Sequence, residues 1–305
     1  MNRNLLTREP IAAGRFYEAN RAALLEDVET CAGGYHPPSD LTRPVGGIVP
    51  HAGWMFSGPT AGKVFRVLSR LAAPATYVLF GAVHRPGAAK ASLYPEGAWR
   101  TPLGDCAVDA ALAAELLKTA PDLLEAAPEA HRGEHAIEVQ VPFIQALSPE
   151  ARILPIAVPM TGAATELGRA VARVIARWNS PAVFVGSTDL THYGMDYGLT
   201  ARGPLETGLP WMRANDARII RLAEKLLAEE IIPEAEEHDN ACGAGAMAAA
   251  TATAAALGAA RGRVLEYTTS ADVTEDYRGN HAVGYVGIVF EKTAHPRNER
   301  SGGPS

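Results

Sequence analysis

Apolar residues along the chain follow two alternating patterns. Short runs rich in Val, Ile, Leu and aromatic residues, bounded by Gly, Pro or polar turns, predict β-strands. Longer Ala-, Leu- and Arg-rich stretches with apolar residues three and four positions apart predict helices. The predicted strands are 46–50, 76–82, 91–94, 152–158, 182–187, 263–268 and 284–290. The predicted helices are 57–71, 109–119, 134–147, 164–178, 211–228 and 242–257.

This alternation predicts an α/β fold, with a central, mainly parallel or mixed β-sheet sandwiched by helices. Several strands are apolar throughout, which is typical of central strands. No Ser/Gly/Pro-rich linker interrupts the alternation, so we expect one α/β domain over residues 1–294. Residues 295–305 are polar and contain Pro and Gly, which predicts a disordered tail. The Ala/Gly/Thr-rich run 242–260 is less lipid-favouring than a Leu-rich one and predicts a buried helix.

Composition and charge narrow the class of protein. The 305 residues carry a net charge of -6, and no Lys/Arg run resembles a phosphate-tracking stripe, so we expect no nucleic-acid partner. The three cysteines form no CxxC pair, which favours a reducing compartment. The N-terminal segment has no apolar stretch of signal-peptide length. We therefore expect a cytoplasmic protein that does not span a membrane.

Three histidines share one context along the chain. His51 follows GGIVP, His84 follows YVLFGAV and His192 follows AVFVGSTDLT, so each lies at the carboxyl end of an apolar strand. Ligands of α/β sheets bind at that edge. A single such histidine is most often a loop residue with a local hydrogen bond, but three in the same context indicate a shared site. Clustered imidazoles suit iron, copper or zinc better than magnesium or calcium.

Cys242 follows HDNA and opens a Gly/Ala-rich helix, where the helix dipole favours a thiolate that acts as ligand or nucleophile. The alternative is a small buried residue at a crowded helix start. Asp239 and Asn240 precede this segment, and in the same alternative one of them caps the helix.

Two further pairs of residues have spacings suited to chemistry. Asp189 lies three residues before His192, so its carboxylate could orient the imidazole as partner of a metal ligand or as part of an acid/base pair; alternatively, Asp189 caps a turn. His135 and Glu138 lie three apart on a predicted helix and share a face near its first turn, which a surface helix also shows by chance. The chain contains no phosphate-loop motif, GxSxG or HExxH.

Seven segments in order resemble those of the Memo family, including its bacterial branch called AmmeMemoRadiSam system protein B. These segments are AAGRFYEAN, PHAGWMFSGPTAG, LFGAVH, GEHAIEVQVPFIQ, GSTDLTHYG, DNACGAGA and GNHAVGYVGIVFE. Together they span nearly the whole chain. The family is similar in fold to the class III extradiol dioxygenases, which have a helix-covered central sheet with a cleft where non-haem iron binds.

The resemblance implies roles for individual residues. It implies that His51, His84 and Cys242 bind the metal and that His192 and Asp189 line the same cleft. It also implies that His135, Glu138 and Asp239 approach this cleft.

The sequence departs from the usual family pattern at three positions. Val83 stands where asparagine is common, Ala136 where serine is common, and Trp54 where tyrosine follows HAG. The first two changes remove polar groups that could position a ligand or water. A thiolate also replaces the carboxylate of the extradiol dioxygenases, which puts simple transfer of catechol cleavage in doubt. We expect a non-haem metal, with Fe(II) favoured over the alternatives Cu and Zn.

Three functions compete at this stage. The first is a dioxygenase-like, metal-dependent oxidoreductase acting on a small organic or peptide substrate, in which His192 transfers protons, Asp189 orients it and His135 assists. The second is a non-catalytic adaptor that binds a peptide or protein in the same cleft, with Trp54 stacking on it. The third is a zinc-type hydrolase. The name of the bacterial branch implies AMMECR-like and radical SAM pathway partners.

Overall fold

The computed structural model describes residues 6–41, 43–84, 89–200 and 203–293, so the predicted tail 295–305 lies outside the described residues. The strands are β1 Thr7–Arg8, β2 Pro44–Val49, β3 Thr76–Gly81, β4 Ala91–Leu93, β5 Ala98–Thr101, β6 Gly104–Ala107, β7 Leu124–Ala126, β8 Arg152–Ala157, β9 Ala182–Ser187, β10 His192–Gly194, β11 Arg261–Thr269 and β12 His281–Glu291. The α-helices are α1 Arg21–Val28, α2 Trp54–Leu71, α3 Ala110–Thr119, α4 Val141–Leu147, α5 Ala163–Ile175, α6 Leu205–Glu224, α7 Ala228–His238, α8 Ala244–Ala256 and α9 Ser270–Thr274.

Within the described residues, nine strands form one mixed sheet in the order β10-β12-β2-β9-β3-β8-β4-β7, with β11 also paired to β12. The four strands β2, β9, β3 and β8 are parallel neighbours. Strand β12 runs antiparallel to β2 and β11, and β4 runs antiparallel to β8. A smaller sheet contains β1, β5 and β6. The carboxyl ends of β2, β9 and β3 therefore meet at one edge of the main sheet.

Helices cover both faces of the main sheet because its central strands carry apolar side chains on both sides. Ile48 and Phe80 pack with residues of α3, α5, α6, α7 and α8. Val49 and Leu79, each next to one of these in sequence, pack on the opposite face with residues of α1, α2 and α4. The alternation follows from the two-residue period of a strand. This architecture confirms the predicted α/β fold with a mixed sheet sandwiched by helices.

Helix α8 packs closely because small residues lie at its contacts. A Cβ on Gly186 of β9 would lie 2.7 Å from the Ala250 Cβ of α8. A Cβ on Gly168 of α5 would lie 2.3 Å from the backbone oxygen of Ala249. Both approaches need glycine because any side chain would overlap its neighbour. The predicted run 242–260 thus contains a helix, α8, which spans Ala244–Ala256 and is buried from Ala244 to Ala254. No helix among the described residues is long and apolar enough to cross a membrane.

All seven predicted strands are present with boundaries shifted by a few residues at most. The predicted helix 134–147 is wrong in its first half. Residues 134 and 135 have no regular structure, 136 and 137 form a turn, Glu138–Gln140 is a single 3₁₀ turn, and α4 spans only Val141–Leu147. The carboxylate of Glu134 accepts the backbone N–H groups of His135 and Ala136, which ties down the start of this segment outside a regular helix.

Several elements carry too weak a sequence signal to be predicted. Helix α1 has almost no amphipathic pattern. Strands β5 and β6, which form a hairpin, are only four residues long each. The predicted helix 211–228 corresponds to α6, which begins six residues earlier, and helix α7 was not predicted. Leu226, with a left-handed backbone at φ 60°, separates the two helices.

We expect Gly168→Ala to lower the free energy of unfolding by about 1–3 kcal/mol, because the new methyl group overlaps the backbone of α8. The matched control is Gly162→Ala at the start of α5, where a Cβ would meet no atom within 4 Å. We expect the control to change stability by less than about 0.5 kcal/mol. Urea denaturation measures the free energy of unfolding of both variants. Equal values for Gly168→Ala and Gly162→Ala would contradict the close packing of α5 on α8.

Candidate metal centre

The loops that follow three parallel strands bring the predicted site residues together. His51 lies two residues after β2, His84 three residues after β3, and Asp189 two residues after β9. Because these strands are parallel neighbours, their following loops lie side by side at one edge of the sheet. The sequence context of the histidines therefore corresponds to one shared location.

The imidazole of His51 is held in one tautomer. Its Nδ1 lies 2.9 Å from Ser187 Oγ, and that hydroxyl donates its only proton to the carbonyl of Ala136, also at 2.9 Å. The His51 Nδ1 must therefore carry the proton and donate it to Ser187. The Nε2 lone pair is therefore an acceptor, and it lies within hydrogen-bond distance of the Cys242 thiol, 3.2 Å from the sulfur.

The electrostatic surroundings of His51 keep its ring neutral. Burial, followed by the neighbouring rings of His84 and His135, holds the pKa of His51 well below its usual range. A neutral imidazole with a fixed Nδ1 proton presents Nε2 as a ligand atom. The site thus has one preorganised nitrogen ligand before any metal binds.

One carboxylate, that of Glu134, organises the other side of the site. It accepts a hydrogen bond from His84 Nδ1 at 3.0 Å and from the His84 backbone N–H at 3.0 Å. It also accepts the backbone N–H groups of His135 at 2.8 Å and Ala136 at 3.0 Å. Burial alone would raise the pKa of Glu134, but the hydrogen bond and charge of His84 and the backbone donors lower it to about 2. Glu134 is therefore a carboxylate. Its hydrogen bond to Nδ1 raises the pKa of His84, so a metal ion that binds His84 Nε2 would displace a proton from that atom.

Sequence analysis missed Glu134. It lies directly before His135 in GEHAIEVQVPFIQ, where the helical spacing indicated His135 and Glu138 instead. A carboxylate beside a histidine, after a glycine that permits a turn, is the signal that could have identified it. Gly133 has a left-handed backbone at φ 81°, which turns the chain so that Glu134 faces His84.

Cys242 lies in the loop that precedes α8. Its backbone N–H donates to the carbonyl of Asp189 at 3.2 Å, which ties this loop to the end of β9. Helix α8 begins two residues later, and burial together with the charge of Asp189 raises the pKa of Cys242. The expectation that the helix dipole yields a thiolate is therefore wrong for the protein alone. A bound cation would supply the missing stabilisation, because metals bind cysteine as the thiolate.

The three predicted ligands converge. One donor atom each from His51, His84 and Cys242 lies within 4.8 Å of the others. A second group, His84, Glu134 and His135, meets the same limit, but its Glu134 oxygens already accept hydrogen bonds from the protein. The first group is the better metal site because its nitrogen and sulfur atoms suit a borderline or soft transition metal.

His135 and His192 lie beside this group. The ring of His135 stacks on that of His84 with centroids 5.0 Å apart and meets His51 edge-on at 5.4 Å. The Nδ1 of His192 lies 2.9 Å from the carbonyl of Leu190, so this nitrogen carries a proton and Nε2 is free. All three predicted catalytic residues, His135, His192 and Asp189, line one open cavity of about 810 Å³ together with His51 and His84.

The structure corrects the suggested pairing of Asp189 with His192. Among the hydrogen bonds of the described residues, none joins these two side chains; His192 is bound by the Leu190 carbonyl instead. The carboxylate of Asp189 accepts the backbone N–H of His51 at 2.7 Å. Asp189 thus holds the loop that carries a ligand and lies in the cavity wall, while the backbone orients His192.

Two residues expected in the cleft lie in the protein interior. Trp54 is only 5% exposed, stacks on Phe143 at 3.9 Å and donates its Nε1–H to the Val139 carbonyl. Glu138 is fully buried and pairs with Arg8 at 2.7 Å. Neither lines the 810 Å³ cavity, whose phenylalanine and tyrosine residues are Phe16, Phe56, Tyr197 and Tyr285. Its contacts with Phe143 and Val139 hold Trp54 in the interior. Glu138 is held there by Arg8 and by the backbone N–H groups of Ile11 and Ala12.

Asp239 also lies outside the main cavity. It ends α7 with a left-handed backbone at φ 48° and is exposed. With Cys242 and His192 it lines a separate depression of about 330 Å³. Among the described residues, Asp239 is therefore not part of the wall of the cavity that contains His51 and His84. Its alternative role as cap of the following helix is wrong, since Gly243 precedes α8.

Comparison with known proteins identifies the family of this chain. The profile of a family described as Memo-like protein matches residues 8–289. A MEMO1 family protein of Methanopyrus kandleri is 33% identical over 298 residues, covering 94% of this chain and all of the relative. One from Thermococcus kodakarensis is 33% identical over 295 residues with the same coverage. A crystal structure of an uncharacterized Escherichia coli K12 protein overlaps with a TM-score of 0.44 at 11% identity, covering 74% of this chain and 91% of that one.

We expect Glu138→Ala to lower the free energy of unfolding by about 3–5 kcal/mol, because it leaves the buried charge of Arg8 without its partner. Denaturant unfolding followed by circular dichroism measures the loss. The control is Glu9→Ala, which removes an exposed pair with Arg100 and is expected to change stability little. A Glu138→Ala variant as stable as this control would argue against the interior role of Glu138.

We expect Glu134→Gln to weaken Zn(II) binding by about 10- to 100-fold, because an amide cannot hold His84 Nδ1 and the three backbone donors as a carboxylate does. Competition against a chromophoric chelator measures the affinity. The control is Glu129→Gln, an exposed residue in the preceding 3₁₀ turn. Equal Zn(II) affinity in the two folded variants would remove Glu134 from the site.

Proposed function

The chain belongs to the Memo-like protein family, and from this premise we propose that it is a metal-dependent oxidoreductase acting on a small organic or peptide substrate. In this proposal His51, His84 and Cys242 bind one transition-metal ion, and the adjoining cavity admits the substrate. The observation that supports it is the convergence of three donor atoms within 4.8 Å.

The donor set fits a transition metal in three respects. Both histidines have Nδ1 occupied by a hydrogen-bond partner, which directs Nε2 to the metal. The thiol of Cys242 has a raised pKa that a bound cation would lower. The ligands number three, which leaves positions open for further ligands. Fe(II) is our first choice, with Cu and Zn as alternatives, and the metal when bound would supply Lewis-acid and redox chemistry.

The chain's own residues supply proton transfer and positioning around this centre. The free Nε2 of His192, whose Nδ1 the Leu190 carbonyl fixes, is suited to accept a substrate proton. His135 is partly buried, and burial lowers its pKa, which favours the neutral ring as a second base. The side chains of Phe16 and Phe56 line the cavity and would exclude water from an apolar part of the substrate.

A second candidate function is binding of a peptide without catalysis. Met55 is 74% exposed and Met195 is 79% exposed, and they neighbour Phe56 and Asp196 of the cavity wall in sequence. Exposed, flexible methionines adapt to varied apolar partners. This adaptor would keep the cavity but would not depend on a metal.

The test is the metal content of protein purified anaerobically without chelator. Iron, copper and zinc per chain are quantified for the wild type and for His51→Ala, His84→Ala and Cys242→Ser. We expect near-stoichiometric metal in the wild type and at least about a tenfold loss of metal affinity in each variant, because each removes a ligand.

The controls are His36→Ala and Cys106→Ser, which alter a histidine and a cysteine outside the site. Both should keep wild-type metal content. A wild-type protein that is metal-free and also fails to bind added Fe(II), Cu(I) or Zn(II) would overturn the metal-dependent function and leave the adaptor as the leading candidate.

A further inference from the structure

Gln140 is a buried amide that lies beside the candidate metal centre. It ends the 3₁₀ turn that precedes α4, and it is only 1% exposed. Its Nε2 lies 2.8 Å from the carbonyl oxygen of Pro50 and 3.2 Å from the hydroxyl oxygen of Ser187. Pro50 directly precedes His51, and Ser187 accepts the Nδ1 proton of His51. The amide therefore contacts both the backbone and the ring partner of one predicted metal ligand.

The surroundings of this amide determine which of its ends faces these groups. The Nε2 atom also lies 3.4 Å from the carbonyl oxygen of Ala136. Carbonyl oxygens only accept hydrogen bonds, so a reversed amide would place Oε1 against the two acceptors of Pro50 and Ala136. The Oε1 atom is buried and accepts no hydrogen bond from the described part of the chain. Gln140 therefore acts through the two N–H donors of its Nε2.

The hydroxyl of Ser187 has a full set of hydrogen bonds. It donates its proton to the carbonyl of Ala136 at 2.9 Å. It accepts the Nδ1–H of His51 at 2.9 Å and an N–H of Gln140 at 3.2 Å. A hydroxyl has one proton and two acceptor lone pairs, so these three partners use all of its capacity. The oxygen that receives the His51 proton is thus held in place by Gln140 and Ala136.

The peptide group between Pro50 and His51 is held from both sides. Its oxygen accepts the N–H of Gln140 at 2.8 Å, and its N–H donates to the carboxylate of Asp189 at 2.7 Å. Rotation of the His51 side chain would break its bond to Ser187, and a shift of its backbone would break the bonds to Gln140 and Asp189. Because one amide holds both the peptide oxygen and the Ser187 hydroxyl, it links the backbone position of His51 to the position of its ring.

We propose that Gln140 is a positioning residue of the metal centre, whose amide holds the Pro50 carbonyl and the Ser187 hydroxyl together and so directs the Nε2 of His51 toward the metal. The proposal rests on the proposed function, because it takes His51 as a metal ligand. It adds a residue that acts on this ligand through the ligand's own partners. Residues of this kind preserve metal affinity by restricting the ligand to one orientation.

The first test is the Zn(II) affinity of Gln140→Met, which keeps the length of the side chain and removes both donors. We expect binding to weaken about three- to tenfold, because Gln140 acts through partners of His51 and not on the ring itself. Competition against a chromophoric chelator measures the affinity. Gln140→Asn, whose amide is one methylene too short to reach both acceptors, should show the same loss and serves in place of Gln140→Met if that variant does not fold.

The matched control is Gln145→Met, the same substitution within α4. The amide of Gln145 donates to the carbonyl of Gly104 and accepts the hydroxyl of Thr101, which lie outside the metal centre. We expect this variant to keep the wild-type Zn(II) affinity. Any general effect of replacing a glutamine in this segment would appear in the control as well.

The Nδ1–H proton of His51 reports the positioning without a metal. In chelator-treated protein labelled with ¹⁵N-histidine, we expect this proton to be protected from solvent exchange, because it is buried and hydrogen-bonded. Its exchange should be at least about fivefold faster in Gln140→Met, since a lost hydrogen bond favours local opening. The backbone amides of β3 should keep their exchange rates. A merely structural defect would raise exchange throughout the sheet.

A double variant tests whether Gln140 acts through Ser187. Ser187→Ala removes the hydroxyl that connects the amide to the ring of His51. The loss of Zn(II) affinity in Ser187→Ala/Gln140→Met should therefore be smaller than the product of the two single losses. Losses that simply multiply would contradict the connection through Ser187.

Failure of this proposal is separable from failure of the metal site. Wild-type Zn(II) affinity, or wild-type exchange of the His51 proton, in the Gln140 variants would overturn the positioning role and leave the metal site intact. A wild-type protein that binds no Zn(II) would count against the proposed function. The exchange rate of the His51 proton in metal-free protein then decides the role of Gln140: faster exchange in Gln140→Met supports it, and an unchanged rate overturns it.

Discussion

The hydrogen bonds of the Glu134 carboxylate are the constraint on which the rest of the site depends. That group fixes the tautomer of His84 and anchors the backbone of His135 and Ala136. The Ala136 carbonyl in turn accepts the Ser187 hydroxyl proton, and this settles the tautomer of His51. One buried charge thus orients two nitrogen ligands from two different strands. Arg8 supports this arrangement by donating to the Glu134 carbonyl at 2.6 Å.

The fold could be predicted from sequence because its strongest signals are local. Strands such as β3 and β9 are apolar throughout, and the helices between them have a regular period, so strands and layers follow directly. The positions of His51 and His84 at strand ends then followed from the parallel topology. Elements with little periodicity, such as α1, and segments tied by side chain to backbone contacts, such as 134–137, gave no such signal.

The parts of the site that sequence could not supply depend on long-range contacts. Glu138 and Trp54 were placed in the cleft by their motifs, but their partners Arg8 and Phe143 lie elsewhere in the chain and draw them inward. The thiol of Cys242 was expected to ionise at a helix start, but its burial beside Asp189 has the opposite effect. Burial and partner identity are properties of the folded chain, so spacing alone could not reveal them.

The central claim is that His51, His84 and Cys242 bind one transition metal, and Co(II) titration tests it most directly. A thiolate bound to Co(II) gives an intense near-ultraviolet charge-transfer absorption that imidazole or carboxylate ligands do not produce. The account expects this band to saturate at one equivalent in the wild type and to be absent in Cys242→Ser. A wild-type spectrum without the band, or an unchanged band in Cys242→Ser, would contradict it.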